Sequence, residues 1–309
     1  MAFVQYVVKR VALTVPVLLG VVIVVFFMVR MLPGNAAMAL VGQTHLSAQA
    51  MREVELQLGL LEPWPAQLLH YVVGLLHGDF GLSFIGFVPV SLLIGQNIGQ
   101  TMELTALGMV IAIVVGIPLG VAAAVHRNQL IDVLSMGFAM LGVSIPPFFL
   151  GLALIVLLAV HFPIFPATGD GGFSFLVLPG ITLGASQAAI IARLTRAGMF
   201  EVLGADYVRT ARAKGAKYLA VTYRHALANA MLPILTMIGM QVGSLLGGAV
   251  VIEEVFARNG LGSLIINAIL HRDIPVVQGG VLVVSVMFVV VNLLTDLLYA
   301  VVDPRIRYQ

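Results

Sequence analysis

The sequence has 309 residues, of which 60% are hydrophobic and 10% are charged, and its formal net charge at pH 7 is +2. Soluble domains carry about 25% charged residues, so this composition excludes an ordinary soluble protein and indicates one embedded in a membrane. So small a net charge gives no electrostatic footprint for nucleic acid, and the absence of cysteine excludes disulfides and thiolate metal sites.

The apolar runs predict six membrane-spanning helices, since a span needs about 20 mostly apolar residues. The first is Val11–Val29. A signal peptide cleaved near Ala37-Met38-Ala39 is the alternative for this run, but its length exceeds the roughly 7–15 residues of a signal-peptide core, which favours a retained helix. The further predicted spans are 98–125, 133–160, 173–192, 230–252 and 279–302.

The distribution of Lys and Arg predicts that both termini are cytoplasmic. With the N-terminus inside, twelve basic residues lie in cytoplasmic segments and four lie outside, which is the bias of a positive-inside protein. The segment 31–97 then lies outside. Ser47 is predicted to cap a helix running to about Leu58, and Pro63 is predicted to start a second helix that lies on the outer mouth of the bundle.

This assignment divides the chain into three parts. Residues 1–97 are the first span and the extracytoplasmic segment, residues 98–302 are the transmembrane core, and residues 303–309 are a cytoplasmic tail. The core contains a cytoplasmic region at 200–228 between the fourth and fifth spans.

The residue patterns of intramembrane enzymes and of nucleotide sites are missing. A phosphate-binding loop ends in Lys followed by Ser or Thr, whereas the three lysines here precede Arg10, Gly215 and Tyr218. His70 and His77 lack a third ligand nearby, so no metal site is predicted. We therefore expect no catalytic residues, and any ATP-driven work must be powered by another subunit.

The longest basic stretch, Ala205–Arg224, predicts two short helices that meet at Gly215. Glycine permits a sharp turn there, and small residues such as Ala211 and Ala213 allow close contact with another protein. Arginines on this hairpin can bind carboxylates or carbonyls of a partner. A solvated loop that touches lipid headgroups is the alternative, which charge alone favours.

A series of short motifs runs along nearly the whole chain: Leu32-Pro33-Gly34, Gly78-Asp79-Phe80-Gly81-Leu82-Ser83, Asp206–Gly215, Arg224-His225-Ala226-Leu227, Asn229-Ala230, Leu232-Pro233, Gly248 with Glu253 and Phe256, Arg272-Asp273-Ile274-Pro275, Asn292-Leu293-Leu294, Asp296, and Asp303-Pro304-Arg305. Taken together, these motifs resemble those of type I ABC importer permeases, in particular the first-permease subfamily of the dipeptide/oligopeptide/nickel branch.

The resemblance implies that the region of Arg209–Lys217 is a coupling helix docking on an ATPase subunit. The coupling residues are Asp206, Tyr207, Arg209, Thr210, Ala211, Arg212, Ala213, Lys214 and Gly215. The wider family has Glu-Ala-Ala-x-x-x-Gly here, and Arg209 stands at the Glu position.

The resemblance also implies the chain's place in a larger assembly. A second, similar permease completes the pathway, two ATPases bind ATP and Mg²⁺, and a substrate-binding protein delivers a short peptide to the outer face of a bacterial inner membrane. Nickel chelates or glutathione are alternative solutes. The competing classes are an intramembrane enzyme and a stand-alone secondary transporter, which would need its own ion site at Asp296 or Glu103.

A few polar and helix-breaking residues inside the spans are further candidates. Asn292 and Asp296 are predicted to form a polar clamp between helices, with a substrate contact as the alternative. Candidates for the pathway or its gate are Pro146, Pro147, Gly243, Gly247, Glu253 and Glu254. For the prolines and glycines the alternative is close helix packing, and for the two glutamates it is a structural salt bridge.

Overall fold

The computed structural model describes residues 2–30, 49, 52, 56 and 61–302, and these are mostly helical. In chain order the elements are α1 (Ala2–Arg30), α2 (Trp64–Leu76), α3 (Val90–Val125), α4 (Leu130–Ser144), α5 (Pro147–Ile155) with the π-helix π1 (Val156–His161), α6 (Phe173–Leu203), α7 (Asp206–Ala213), the π-helix π2 (Ala220–Leu227), α8 (Ala228–Val255), α9 (Leu261–Leu270) and α10 (Ile274–Val302). These ranges contain no β-strand, which confirms the all-α class.

Among the described residues, five helices are long and apolar enough to cross a membrane. Their membrane-compatible ranges are Arg10–Met28, Val90–Val125, Phe173–Leu203, Pro233–Val255 and Ile274–Leu297. The pair formed by α4 and α5–π1 is also long and apolar enough when it is taken as one bent span, which gives six possible spans. The helices therefore agree with the six predicted spans.

Two of the helices extend well beyond the predicted spans. The span predicted at 98–125 belongs to a helix that begins at Val90, and the span predicted at 173–192 belongs to one that ends at Leu203. The added turns contain polar residues such as Ser91 and Arg196. Hydropathy detects the part of a helix that suits lipid, whereas the helix itself ends where its backbone hydrogen bonds end.

The third predicted span is broken at its paired prolines. α4 ends at Ser144, Pro146 has extended backbone (φ −56°, ψ 134°), and Pro147 occupies the first turn of α5, where its missing N–H is tolerated. The helices on the two sides differ in direction by 103°. The interruption predicted from Pro146 and Pro147 is therefore a sharp bend.

The prediction of a second short helix after Gly215 was wrong. The chain becomes helical at Tyr218 and continues through π2 into α8 up to Val255, so no separate short helix follows Gly215. Leu219 and Ala228, which flank π2, both keep right-handed helical backbone. The charged and small residues predicted a helix here, but they contain no signal for its end. The helix accordingly continues into α8.

The chain divides into two compact units, which we describe separately. The first comprises residues 102–258 together with 2–8 and 290–302 of the described chain. Its core surrounds α6, where Leu178, Ile191 and Met199 are completely buried. α3 lies directly on α6, since a Cβ at Gly120 would come within 2.5 Å of the Ala192 carbonyl oxygen.

The second unit comprises 259–289 and the described residues within 9–101. Val90 and Ile94 of α3 pack with Leu261, Ala268 and Val276 in its core. The helix predicted to start after Pro63 is α2, whereas the helix predicted from Ser47 to Leu58 lies almost wholly outside the described residues.

An aspartate ties two loops of this second unit together. The carboxylate of Asp273 accepts hydrogen bonds from the Ser83 hydroxyl and, at 3.0 Å, from the Phe84 backbone N–H. Asp273 is 3% exposed. Ser83 and Asp273 belong to two of the motifs named in the sequence analysis. The hydrogen bond between them gives those motifs a structural role.

Candidate coupling site

The basic stretch begins with a short helix that is held by one buried side chain. α7 starts at Asp206, just after α6 ends, and its Val208 is 0% exposed. The residues predicted to contact a partner are exposed, except for the half-buried Ala211: Asp206, Tyr207, Arg209, Thr210, Arg212, Ala213, Lys214 and Gly215. Val208 thus anchors the helix, and almost all of its remaining surface is accessible.

Gly215 ends α7 in a backbone conformation that strongly favours glycine. Its φ is +79°, and a Cβ at this position would have no neighbour within 4 Å. Glycine is therefore favoured here by the backbone conformation and not by a lack of space. The Gly215 N–H donates to the Arg212 carbonyl (2.9 Å), and the Ala216 N–H donates to the Ala211 carbonyl (3.1 Å). These two bonds form a Schellman motif, which fixes the direction in which the chain leaves the helix.

The π-helix π2 lies beneath α7 and connects it to the spans. Both α6 and α7 contact π2, in which Val221 and Ala226 are buried. Close by, Gly198 of α6 faces Ala230 of α8, with only 3.6 Å between the position of a Cβ on Gly198 and the Ala230 Cβ. Because close-packed interiors transmit strain, a displacement of α7 can reach α6 and α8 through π2.

Aromatic and apolar side chains surround the basic groups. Tyr207, Tyr218 and Tyr223 are 44%, 59% and 52% exposed, and Leu219 is 67% exposed. Within α7, Asp206 and Arg209 approach only to 3.8 Å and are both largely exposed, so this pair contributes little to stability. Tyrosine combined with arginine is typical of surfaces that bind another protein.

A partly buried ion pair, which the sequence analysis missed, joins α4 to α6; its Arg196 side chain is 35% exposed. The Arg196 guanidinium donates from Nε to Asp132 Oδ1 (2.6 Å) and from Nη2 to Oδ2 (2.8 Å). The Asp132 side chain is 6% exposed. Beside it, the Arg127 guanidinium lies 3.8 Å above the ring of Phe200, one turn further along α6. The two partners are 64 residues apart, so nothing in the local sequence indicates the pair.

The candidates for the pathway or its gate occupy different surroundings. Pro146 and Pro147 lie exposed at the bend between α4 and α5. On α8, Gly243 is buried, whereas a Cβ at Gly247 would have no neighbour within 4 Å. Their role in a pathway stays a prediction.

The two glutamates near the end of α8 differ in environment. Glu253 is 1% exposed, and Glu254 is exposed. Just beyond them, Arg258 is buried and lies 3.6 Å from Asp170. The Gly169 N–H donates to the Phe256 carbonyl at 2.9 Å, and Gly169 has φ +102°. The segment Thr168–Gly171 is therefore fixed to the end of α8 by contacts between residues that are far apart in the sequence.

The predicted polar clamp lies on a half-buried face of α10. Asn292 and Asp296 are one helical turn apart, and both are intermediate in exposure. Between them in the chain, Thr295 is 8% exposed and packs on Gly239 of α8, where a Cβ would overlap its Cγ2. α8 and α10 therefore touch beside Asp296, and the role of the two polar residues stays a prediction.

Comparison with known proteins supports the assignment suggested by the motifs. A family profile described as "Binding-protein-dependent transport system inner membrane component" matches residues 116–308, and a profile for the N-terminal part of such membrane components matches residues 3–102. The dipeptide transport system permease protein DppB of Escherichia coli K12 is 41% identical over 336 residues, and the glutathione transport system permease protein GsiC of the same strain is 43% identical over 305 residues. Each comparison covers 99% of both chains.

Solved structures show the same fold. A chain of the MetNI methionine ABC transporter aligns with a TM-score of 0.59 and 20% identity, covering 68% of this chain and 96% of that one. A chain of an amino acid ABC transporter aligns with a TM-score of 0.50 and 18% identity, covering 69% and 94%. Together with the matches along the sequence, these results show that the chain belongs to the family of binding-protein-dependent transport system inner membrane components and is a multi-pass permease component of an ABC importer in the bacterial inner membrane.

Proposed function

We propose that this chain forms half of the translocation pathway of an ATP-driven importer for short peptides, and that α7 is its coupling helix. A second, homologous permease completes the pathway, two ATPase subunits bind from the cytoplasm, and a substrate-binding protein delivers the solute from outside. Both termini are cytoplasmic. The chain itself catalyses no reaction and binds no cofactor; ATP and Mg²⁺ are held by the ATPases.

The observation that carries the proposal is the construction of α7. It is anchored by Val208, ended by the Schellman motif at Gly215 and exposed over its basic and aromatic surface. A solvated loop near lipid headgroups, the alternative on charge alone, needs neither a buried anchor nor a fixed exit direction. A helix that must transmit force to α6 and π2 needs both.

In this mechanism the protein alternates between two shapes. ATP binding closes the ATPase pair, draws the coupling helices together and opens the pathway outward, and hydrolysis resets it. Coupling then requires only that nucleotide at one end and the loaded binding protein at the other each bind one shape more tightly than the other. At the bend at 145–147 the helix is already interrupted, so a change of direction there breaks few helix hydrogen bonds.

Short peptides are the solute class that the relatives support best. DppB is named for dipeptide transport and GsiC for glutathione, itself a short peptide. The alignment with DppB is longer than this chain, so DppB contains residues that have no counterpart here, whereas the alignment with GsiC is not. The full-length similarity to GsiC, at 43% identity, makes glutathione a specific second candidate.

The test is ATP-driven uptake by the purified complex in liposomes. The complex is isolated from its native membrane through a tag on this chain, combined with its binding protein and supplied with ATP inside the vesicles. Labelled dipeptide, glutathione and a nickel chelate are compared at equal concentration. Uptake of dipeptide or glutathione that stops without ATP supports the proposal; uptake by this chain alone, without an ATPase, would instead support a stand-alone transporter.

A further inference from the structure

The cytoplasmic ends of α4 and α6 are joined by two neighbouring contacts. The first is the bidentate ion pair of Asp132 and Arg196, whose N–O distances are 2.6 and 2.8 Å. The second is the stacking of Arg127 on Phe200. Arg196 and Phe200 are one turn apart on α6, so the two contacts hold the start of α4 along one face of that helix.

The turn before α4 is shaped around the same carboxylate. Asn128 has φ +61°, and its backbone N–H donates to Asp132 Oδ2 at 3.0 Å. Asp132 therefore accepts bonds from the Arg196 side chain and from the backbone of its own turn. We name this arrangement of Arg127, Asn128, Asp132, Arg196 and Phe200 the α4–α6 clamp.

The α4–α6 clamp lies between the coupling helix α7 and the bend at 145–147. α6 ends at Leu203, three residues before α7 begins, and α4 leads to the break at 145–147. Beyond the break, α5 is packed on α6 and α8, since a Cβ at Gly151 would lie 3.3 Å from both Thr182 of α6 and Val255 of α8. α4 is thus joined to α6 at its start and also packs on it near the bend, where a Cβ at Gly142 would lie 3.2 Å from Ala185 and Ala189. The bend separates α4 from α5.

We propose that the α4–α6 clamp makes α4 move as one body with the cytoplasmic end of α6, so that displacement of the coupling helix changes the bend at 145–147. Asp132 and Arg196 are positioning residues in this scheme. The inference rests on the proposed function. The Arg196 side chain is 35% exposed, so solvent screens the pair and its contribution to stability is modest; a bidentate pair does fix the relative position of two helices.

The first test uses the reconstituted complex and the number of solute molecules imported per ATP hydrolysed. Asp132→Asn and Arg196→Gln are each expected to lower this ratio roughly two- to thirty-fold while ATP hydrolysis continues, the range typical of residues that carry coupling. The exchanged pair Asp132→Arg with Arg196→Asp should recover part of the loss. Arg193→Gln, an exposed change on α6, is the matched control.

A second measurement does not require the ion pair to be broken. The chain has no cysteine, so spin labels can be attached at Val133→Cys and Ala197→Cys, both exposed, in an otherwise unaltered protein. The distance between these labels should be the same without nucleotide and with ATP bound. The distance from Val133→Cys to Leu152→Cys, across the bend, should change.

Two results would overturn the clamp: single variants that keep the normal ratio of solute to ATP, or a distance from 133 to 197 that changes with nucleotide. Single variants that fail to assemble leave the decision to the distance measurement. Failure of the proposed function is recognised separately, because the unaltered complex would then show no ATP-driven uptake.

Discussion

Thr295 packs against the backbone of Gly239, so closely that a Cβ at Gly239 would overlap the Thr295 Cγ2 atom. The contact joins α8 and α10 beside Asp296. Gly239→Ala should therefore force the two helices apart, and overpacking of this kind costs about 1–3 kcal/mol. We expect a lower melting temperature of the purified complex in detergent, measured by fluorescence-detected size-exclusion chromatography after heating.

Gly247→Ala is the matched control on the same helix. A Cβ at Gly247 would have no neighbour within 4 Å, so this substitution should leave the melting temperature of the chain unchanged or slightly raised. Equal melting behaviour of the two variants would contradict the close approach of α8 and α10.

The turn at Gly215 gives a second prediction. Gly215→Ala keeps the N–H but must hold alanine at φ +79°, at a cost of about 1 kcal/mol, whereas Gly215→Pro can neither adopt this φ nor donate to Arg212. ATP-driven uptake should fall moderately in the first variant and strongly in the second, with normal amounts of chain in the membrane. Gly204→Ala is the control, since its φ is −83° and its nearest neighbour would be an ordinary contact at 3.7 Å. Full uptake by Gly215→Pro would rule out the fixed exit of α7.

The anchor of α7 is tested by limited proteolysis. Val208 is 0% exposed, and Val208→Ala removes about 2 kcal/mol of apolar burial from an eight-residue helix. Trypsin should cut at Arg209 and Arg212 several times faster in this variant, because the loosened helix fits the protease. Val251→Ala, at a position that is 48% exposed, should not change the cutting rate. Unchanged cleavage in Val208→Ala would show that α7 is held by other contacts.

The proposed orientation of the chain predicts which single cysteines can be labelled from outside. Lys217→Cys is exposed on the segment after α7, and Leu61→Cys is exposed just before α2. In cells with a permeabilised outer membrane, a membrane-impermeant maleimide should label Leu61→Cys and should reach Lys217→Cys only after the inner membrane is opened. The reverse pattern would place α7 on the outer side and exclude a coupling role.

Much of this architecture follows from patterns that are local in the sequence. Long apolar runs predict the spans because a helix is the simplest way to satisfy backbone hydrogen bonds in lipid. The turn at Gly215 and the bend at Pro146 could also be predicted locally, because each depends on the backbone chemistry of one or two residues. The exact helix ends were not predicted, since polar turns continue the helices beyond the lipid.

The contacts that join distant parts of the chain could not be predicted in this way. Asp132 and Arg196 are 64 residues apart, and Asp170 meets Arg258 only after the helices between them have packed. A lone charge near the end of a span resembles any other solvated charge. The continuation of the helix through π2 was also missed, since the basic residues after Gly215 gave no sign that the helix of the fifth span begins among them.

The most direct test of the account is a photo-crosslinking experiment at α7 in the native membrane. A photoreactive amino acid is placed at Arg212, which is exposed on α7, and at Leu61 as a control, and the captured proteins are identified by mass spectrometry. The account predicts that Arg212 captures an ATP-binding subunit and that Leu61 does not. Capture of lipid alone at Arg212, in membranes where the ATPase co-purifies with this chain, would contradict the assignment of α7 as the coupling helix.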